Sequence, residues 1–204
     1  MNKLALPLAI SAILSVMAGG AVADDNVNAW RLFVADHDKP TVKVIDALDG
    51  DTLNTFTVKG PASLSRSESG ATVFAVQGSA NTVSVIGSGI AFHDHGDHAD
   101  IDVDPPKLLS VTFDGKKPGH FVERQGKVAQ WFDGESHALF FSEQAVLDGK
   151  KDAKSVSVVA AHHGVAMPSD GYGVVSLPNP EDASQRPIGA RVVDMAGKQA
   201  GNDV

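Results

Sequence analysis

"LFVADHDKPTVKVIDALDG" (residues 32–50) and "VFAVQGSANTVSVIGSGI" (residues 73–90) are the stretches that decide the fold. Laid over each other they set Phe33 against Phe74 and Ile45 against Ile86, an offset of 41 in both cases (74 − 33 and 86 − 45). In each, two runs of Val, Ile, Phe and Thr flank a turn built of Asp, Asn, Gly, Lys or Pro, the pattern of a hairpin between half-buried strands. Two looser copies follow, "VAQWFDGESHALFFSEQ" (128–144) and "YGVVSLPNPEDASQRPIGARVVDMAGK" (172–198), in which Asp194 echoes Asp46 at the end of a strand.

A β-repeat with a period near 40 predicts an all-β chain of propeller blades, about four of them, hence a partial propeller. A β-sandwich with similar hairpins is the alternative. Strands are expected at "WRLFVAD", "TVKVID", "TFTV", "ATVFAVQ", "TVSVIG", "VAQWFDG", "HALFFS", "SVSVVA", "YGVVSLP" and "ARVVDM". Four blades in an arc leave two bare sheet edges. The chain is therefore expected to be the N-terminal piece of a longer one, or to close against another copy.

The repeat is interrupted once. An insertion at about 87–118 separates the second unit from the third and carries "AFHDHGDHAD" (91–100), which holds three of the chain's eight histidines. Insertions of this kind map to loops on one face and often carry function. In an extended segment His93 and His95 point to one side, and a turn at Gly96 and Asp97 can return His98 to the same ion. Asp100 is then a fourth ligand or the carboxylate that orients an imidazole. Neutral imidazole and carboxylate suit Zn²⁺, so His93, His95, His98 and Asp100 are expected to bind zinc; a solvated acidic loop is the alternative. Asp94, Asp97, Asp102 and Asp104 are expected only to steer cations, and Gly87, Gly89 and Gly96 to hinge the loop.

His120 in "PGHFVERQG" and His163 in "AHHGVAMPSDG" sit before like apolar pairs, so on consecutive blades they would face the same channel mouth. With the neighbouring His162 they form a second candidate metal centre, able to share an ion with the loop. His37 and His137 are read as structural or merely exposed. The chain has no cysteine, so thiolate ligands and disulfides are excluded. G-x-S-x-G, H-E-x-x-H and P-loop motifs are absent as well.

The N-terminus adds a compartment. Lys3, the apolar run to Gly20 and the Ala21-Val22-Ala23 site make residues 1–23 a Sec-type signal peptide, with a transmembrane anchor as the alternative. The mature domain, 24–204, is expected in a periplasm with no membrane insertion after cleavage. The formal charge is −8 and becomes −9 without Lys3, the one charged residue of the leader (16 − 25). Such a surface disfavours nucleic acid and suits cations.

The segments "WRLFVADHDKPTVKVID", "TVFAVQGSANTVSVIGSGIAFHDHGDHADI", "KPGHFVERQGKVAQWFDG" and "HHGVAMP" together resemble the N-terminal half of the AztD family of periplasmic zinc metallochaperones. The resemblance implies a β-propeller that stores zinc and passes it to the solute-binding protein of a zinc ABC importer. It maps the His-rich loop to His93, His95, His98 and Asp100, and the inner-strand histidines to His120, His162 and His163. Family members are about twice as long. Two other functions compete with this one. A metal-dependent propeller hydrolase such as a lactonase would need a general base beside His120 and His163, and none is evident. A partner-binding propeller would leave the His loop incidental. No catalysis is expected.

Overall fold

The computed structural model describes residues 29–96 and 99–204. The leader, Asp97 and His98 lie outside them. Within the described residues the chain is all-β, with sixteen strands, one 3-10 turn and one five-residue helix. The first sheet is β1 (Arg31–Ala35), β2 (Thr41–Asp46) and β3 (Thr52–Thr57). The second is β4 (Ser63–Arg66), β5 (Thr72–Gln77), β6 (Thr82–Gly87) and, after a separate hairpin of β7 (Ile90–Asp94) and β8 (Ala99–Val103), the returning β9 (Lys107–Asp114). The third comprises β10 (Pro118–Arg124), β11 (Lys127–Phe132), β12 (His137–Ser142) and β13 (Ala153–Ser157), with α1 (Glu143–Leu147) between the last two. The fourth is β14 (Ala166–Pro168), β15 (Tyr172–Leu177) and β16 (Gly189–Asp194). Every pairing is antiparallel, and none of the sheets closes into a barrel.

The 41-residue offset is structural. Phe33 and Phe74 are the third residues of β1 and β5, and Ile45 and Ile86 the fifth residues of β2 and β6. Asp46 and Asp194 end β2 and β16 in matching turns, each side chain accepting a backbone N–H two residues on, from Leu48 and Ala196. That is the Asx-turn for which an Asp at a strand end is suited.

The sheets stack face to face. Phe74, Val85, Val111 and Phe113 of the second sheet pack on Val128, Phe132 and Phe141 of the third, with Val146 of α1. Ala129, Trp131 and Phe140 of the third pack on Ala166, Val175 and Val193 of the fourth. Val42 of the first meets Ile86 of the second. Central strands are thus buried on both faces: all six residues of β5 and of β6 are buried, the polar Thr72, Gln77, Thr82 and Ser84 among them, so neither strand alternates with an exposed face. Trp30, just ahead of β1, is exposed.

The insertion is narrower than 87–118. Residues 107–114 belong to the second sheet, where β9 pairs with β6, so the extra piece is the hairpin between them. Nor is its base a hinge. Gly87 lies in β6, and Gly89 (φ +72) is closed in: an added Cβ would stand 2.1 Å from Asp104 O and 2.5 Å from Arg31 Nη1. Arg31 Nη2 donates to Asp104 O at 2.6 Å and Asp104 N donates to Gly89 O at 2.7 Å, clamping the stem to the first sheet. Of the three glycines only Gly96 has open space around it.

Candidate metal centre

His120 enters from the start of β10, and His163 from the loop before β14, on neighbouring sheets. Their Nε2 atoms lie 3.2 Å apart, with ring centroids at 4.7 Å. Two ligands of one tetrahedral zinc at ~2.0–2.1 Å stand ~3.3 Å apart, so the imidazoles are spaced as a zinc-binding pair. Asp133, in the β11–β12 turn, accepts a hydrogen bond from His163 Nδ1 at 2.7 Å, and its other oxygen accepts from Gly164 N at 3.4 Å. A carboxylate on Nδ1 fixes the tautomer and leaves the Nε2 lone pair to face a cation. Gly119 makes room for this carboxylate, since an added Cβ would sit 3.1 Å from Asp133 Oδ1. His163 is 71% exposed in its side chain and Asp133 23%, so the pair is open to solvent while its support is sheltered.

His162 does not join them. It is buried, with Nδ1 2.9 Å from Ala160 O, Nε2 3.0 Å from Ser176 Oγ, and Trp131 edge-on to its ring. The carbonyl makes Nδ1 the donor, which leaves Nε2 to accept from Ser176, and both nitrogens are thereby used. Among the described residues, no three His, Asp or Glu side chains are grouped to hold a metal by themselves.

On the hairpin, His93 Nε2 is 3.0 Å from Asp102 Oδ2 and His95 Nε2 is 3.2 Å from Asp100 Oδ2. His93 and Asp100 face each other in the register, so the His93–Asp102 pair runs diagonally across the two strands. All four side chains are more than half exposed. His98 lies outside the described residues.

Hairpin and imidazole pair stand at opposite ends of the sheets. The hairpin leaves from the Gly87 and Lys107 end of the second sheet, and a cleft bounded by Phe92, His93, Gln125 and Glu143 separates it from the β10–β11 turn and α1. His120 is at the other end: the β9–β10 connection is held to the β5–β6 turn by Gly115 N donating to Asn81 O and Lys117 N to Asn81 Oδ1. From His120 to Arg124 alone is about 13 Å at ~3.3 Å per extended residue, too far for one ion to be shared.

Sequence reasoning missed Asp133, which sits in "WFDGES" and reads there as an ordinary Asp-Gly turn, and Asp102, which it treated as a solvated charge. His37 carries no described role in either cluster, and His137 stacks on Phe132 at 4.8 Å.

No protein-family model matches the chain. Individual proteins do: it is 68% identical over 206 residues to zinc chaperone AztD of Citrobacter koseri, an alignment that takes in all of this chain and 48% of that protein. The chain resembles AztD along its whole length. The crystal structure of Citrobacter koseri AztD superposes with a TM-score of 0.85 at 72% identity, covering 87% of this chain and 48% of that one. Apo AztD from the same organism gives 0.84 at 70% identity over the same shares. The chain spans about half the length of these AztD proteins.

Proposed function

We propose that the chain binds zinc as cargo in a bacterial periplasm, stores it, and hands it to the solute-binding protein of a zinc ABC importer, with no catalytic step. The observation that carries this reading is the convergence of His120 and His163 Nε2 at 3.2 Å with Asp133 on Nδ1 of His163. The relative's name, zinc chaperone, supports it.

Two imidazoles leave half of a four-coordinate shell open, and that suits a carrier. Ligands of an accepting protein can enter the vacant positions while His120 and His163 still hold the ion, then replace them one at a time, so the hydrated cation is never released. His162 supports the loop that presents His163. His93, His95 and Asp100 form a second, weaker capture patch on the β7–β8 hairpin, and His98 is its further ligand by sequence. The stacked sheets support a reading as consecutive blades of a partial propeller: the first has three strands among the described residues, and in the last the segment 199–204 runs beside β16 where a fourth strand would lie, through the Val193–Gln199 bridge and the paired Ala190–Val204 hydrogen bonds. Residues 1–23 act as the export signal of the domain 24–204.

The test is zinc titration of the mature chain against a chromophoric chelator, beside the His120→Ala/His163→Ala variant. One tight equivalent in the parent, lost in the double variant with the fold intact, is the expected result. Equal affinity in both would overturn the assignment.

A further inference from the structure

We infer that two successive buried residues of β11, Gln130 and Trp131, set the spacing of the imidazole pair from behind, one for each histidine. The inference rests on the reading of His120 and His163 as zinc ligands and goes beyond it to what holds them at ligand distance.

Gln130 acts on the His120 side. The β10–β11 register jumps there, with Pro118 opposite Phe132 and Phe121 opposite Gln130, so Gly119 and His120 together face Trp131 alone. This is a β-bulge, which re-aims a side chain at the cost of ladder bonds. The Gln130 amide nitrogen reaches into it, 3.4 Å from Gly119 O, 3.3 Å from His120 O and 2.8 Å from Trp131 O. The side chain is fully buried, and its Oε1 makes no hydrogen bond to any described residue. A buried acceptor without a donor costs stability, so an apolar residue would serve the core better. The neighbouring sheets have one. Gln130 is the fourth residue of its strand, and the fourth residues of β5 and β15 are Ala75 and Val175. Ala75 faces Leu64 in an unbroken register. Bulge and glutamine thus occur together, at the sheet that presents His120.

Trp131 acts on the His163 side. Its Nε1 donates to His162 O at 3.3 Å, the carbonyl of the peptide that leads into His163. Gly164, the next residue, lies so close that an added Cβ would stand 2.7 Å from Trp131 Cε2 and 2.5 Å from Ser176 Oγ. The backbone on both sides of His163 is therefore seated on Trp131 and the His162–Ser176 contact. Because the two residues are adjacent on one strand, they fix His120 and His163 relative to the same piece of backbone. Both are positioning residues, since neither touches the ion.

The experiment uses the mature chain with Gln130→Met, which keeps volume and removes the donor, and Trp131→Phe, which keeps an aromatic ring and removes the indole N–H. Zinc affinity is read by chelator competition and ligand geometry by the visible spectrum of the Co²⁺ form, well below each variant's melting temperature. We expect each variant to bind zinc about 10–100-fold more weakly, as for groups that orient metal ligands, with an altered Co²⁺ spectrum. If both fold and keep parental affinity and spectrum while His120→Ala/His163→Ala loses zinc, this inference alone falls. If the double histidine variant also keeps parental affinity, the zinc reading falls with it. Should Gln130→Met fail to fold, Trp131→Phe decides by the same two readouts.

Discussion

Asp133 shows how much one carboxylate contributes here. It accepts the hydrogen bond that commits His163 Nδ1 as donor, and it sets a negative charge beside the ring that would face a cation. Asp133→Asn keeps an acceptor and loses the charge, so zinc affinity is expected to fall by about 10–100-fold by chelator competition, with little change in thermal stability. His137 titrates in another context. Burial pushes its imidazole below the ordinary histidine value, partly opposed by the charge of Glu135. Its native form is the neutral one, so the unfolded chain binds more protons in the interval below the ordinary value of ~6.5. The stability it contributes is present above that pH and is lost as pH falls through the lowered native value. His137→Phe, which can keep the stack on Phe132, should therefore gain in melting temperature relative to the parent between pH 7.5 and 5. An unchanged difference across that range would mean that His137 does not titrate differently on folding.

At the scale of elements, nine of the ten expected strands form over most of their length, because Val, Ile, Phe and Thr recur in them densely enough to be read without help from their neighbours, while of "SVSVVA" only 155–157 lie in a strand, the end of β13. Six escaped notice: β4 is "SLSR" and β14 the three residues "AMP", both short, β10 carries the bulge, and β7, β8 and β9 fell inside the stretch read as an insertion. The helix α1 also escaped. Its five residues are too few for a 3.6-residue period, although Ser142 Oγ accepts from Ala145 N as a helix cap. The helix does more than cap a strand. Glu143 is buried, takes Ser69 Oγ on both carboxylate oxygens at 2.9 Å and Thr72 Oγ1 at 2.7 Å, and so ties the third sheet to the second. Hydrogen bonds to a charged acceptor contribute ~1.5–3 kcal/mol each, and Glu143→Ala strands the buried Thr72 hydroxyl, so a loss of about 2–4 kcal/mol is expected by urea unfolding. Glu143→Gln should cost less. The hairpin stem calls for a different test. Gly89→Ala forces both a left-handed φ on a Cβ-bearing residue and a collision with Asp104 O, and should free β7–β8 to rapid proteolytic cleavage while the rest of the fold resists.

The whole molecule separates what the sequence brings together. His98 and His120 are only 22 residues apart (120 − 98), and both histidine groups flank the same stretch of chain, so a shared ion is a natural expectation from sequence. The β9 strand carries the chain from one end of the second sheet to the other before β10 begins, and this is legible only once β9 is recognised as a sheet strand rather than part of the insertion. The two histidine groups have no residue in common, and residues this far apart without shared partners act additively, so under the proposed function they are two independent classes of zinc ligand. Changing His93, His95 and His98 to Ala together should therefore remove a weak, salt-sensitive class of zinc binding and leave the tight class at parental affinity. Changing His120 and His163 should do the reverse. The hairpin's exposed His–Asp pairs concentrate cations near the surface, so the triple variant should also load its tight site more slowly from dilute zinc, by a factor that shrinks as ionic strength rises. Calorimetric titration separates the two classes, and stopped-flow loading at low and high salt reads the rate. A fall in tight-site affinity in the triple variant, matched by the double variant and not additive with it, would mean that one ion spans both ends and that the separation read from β9 is wrong.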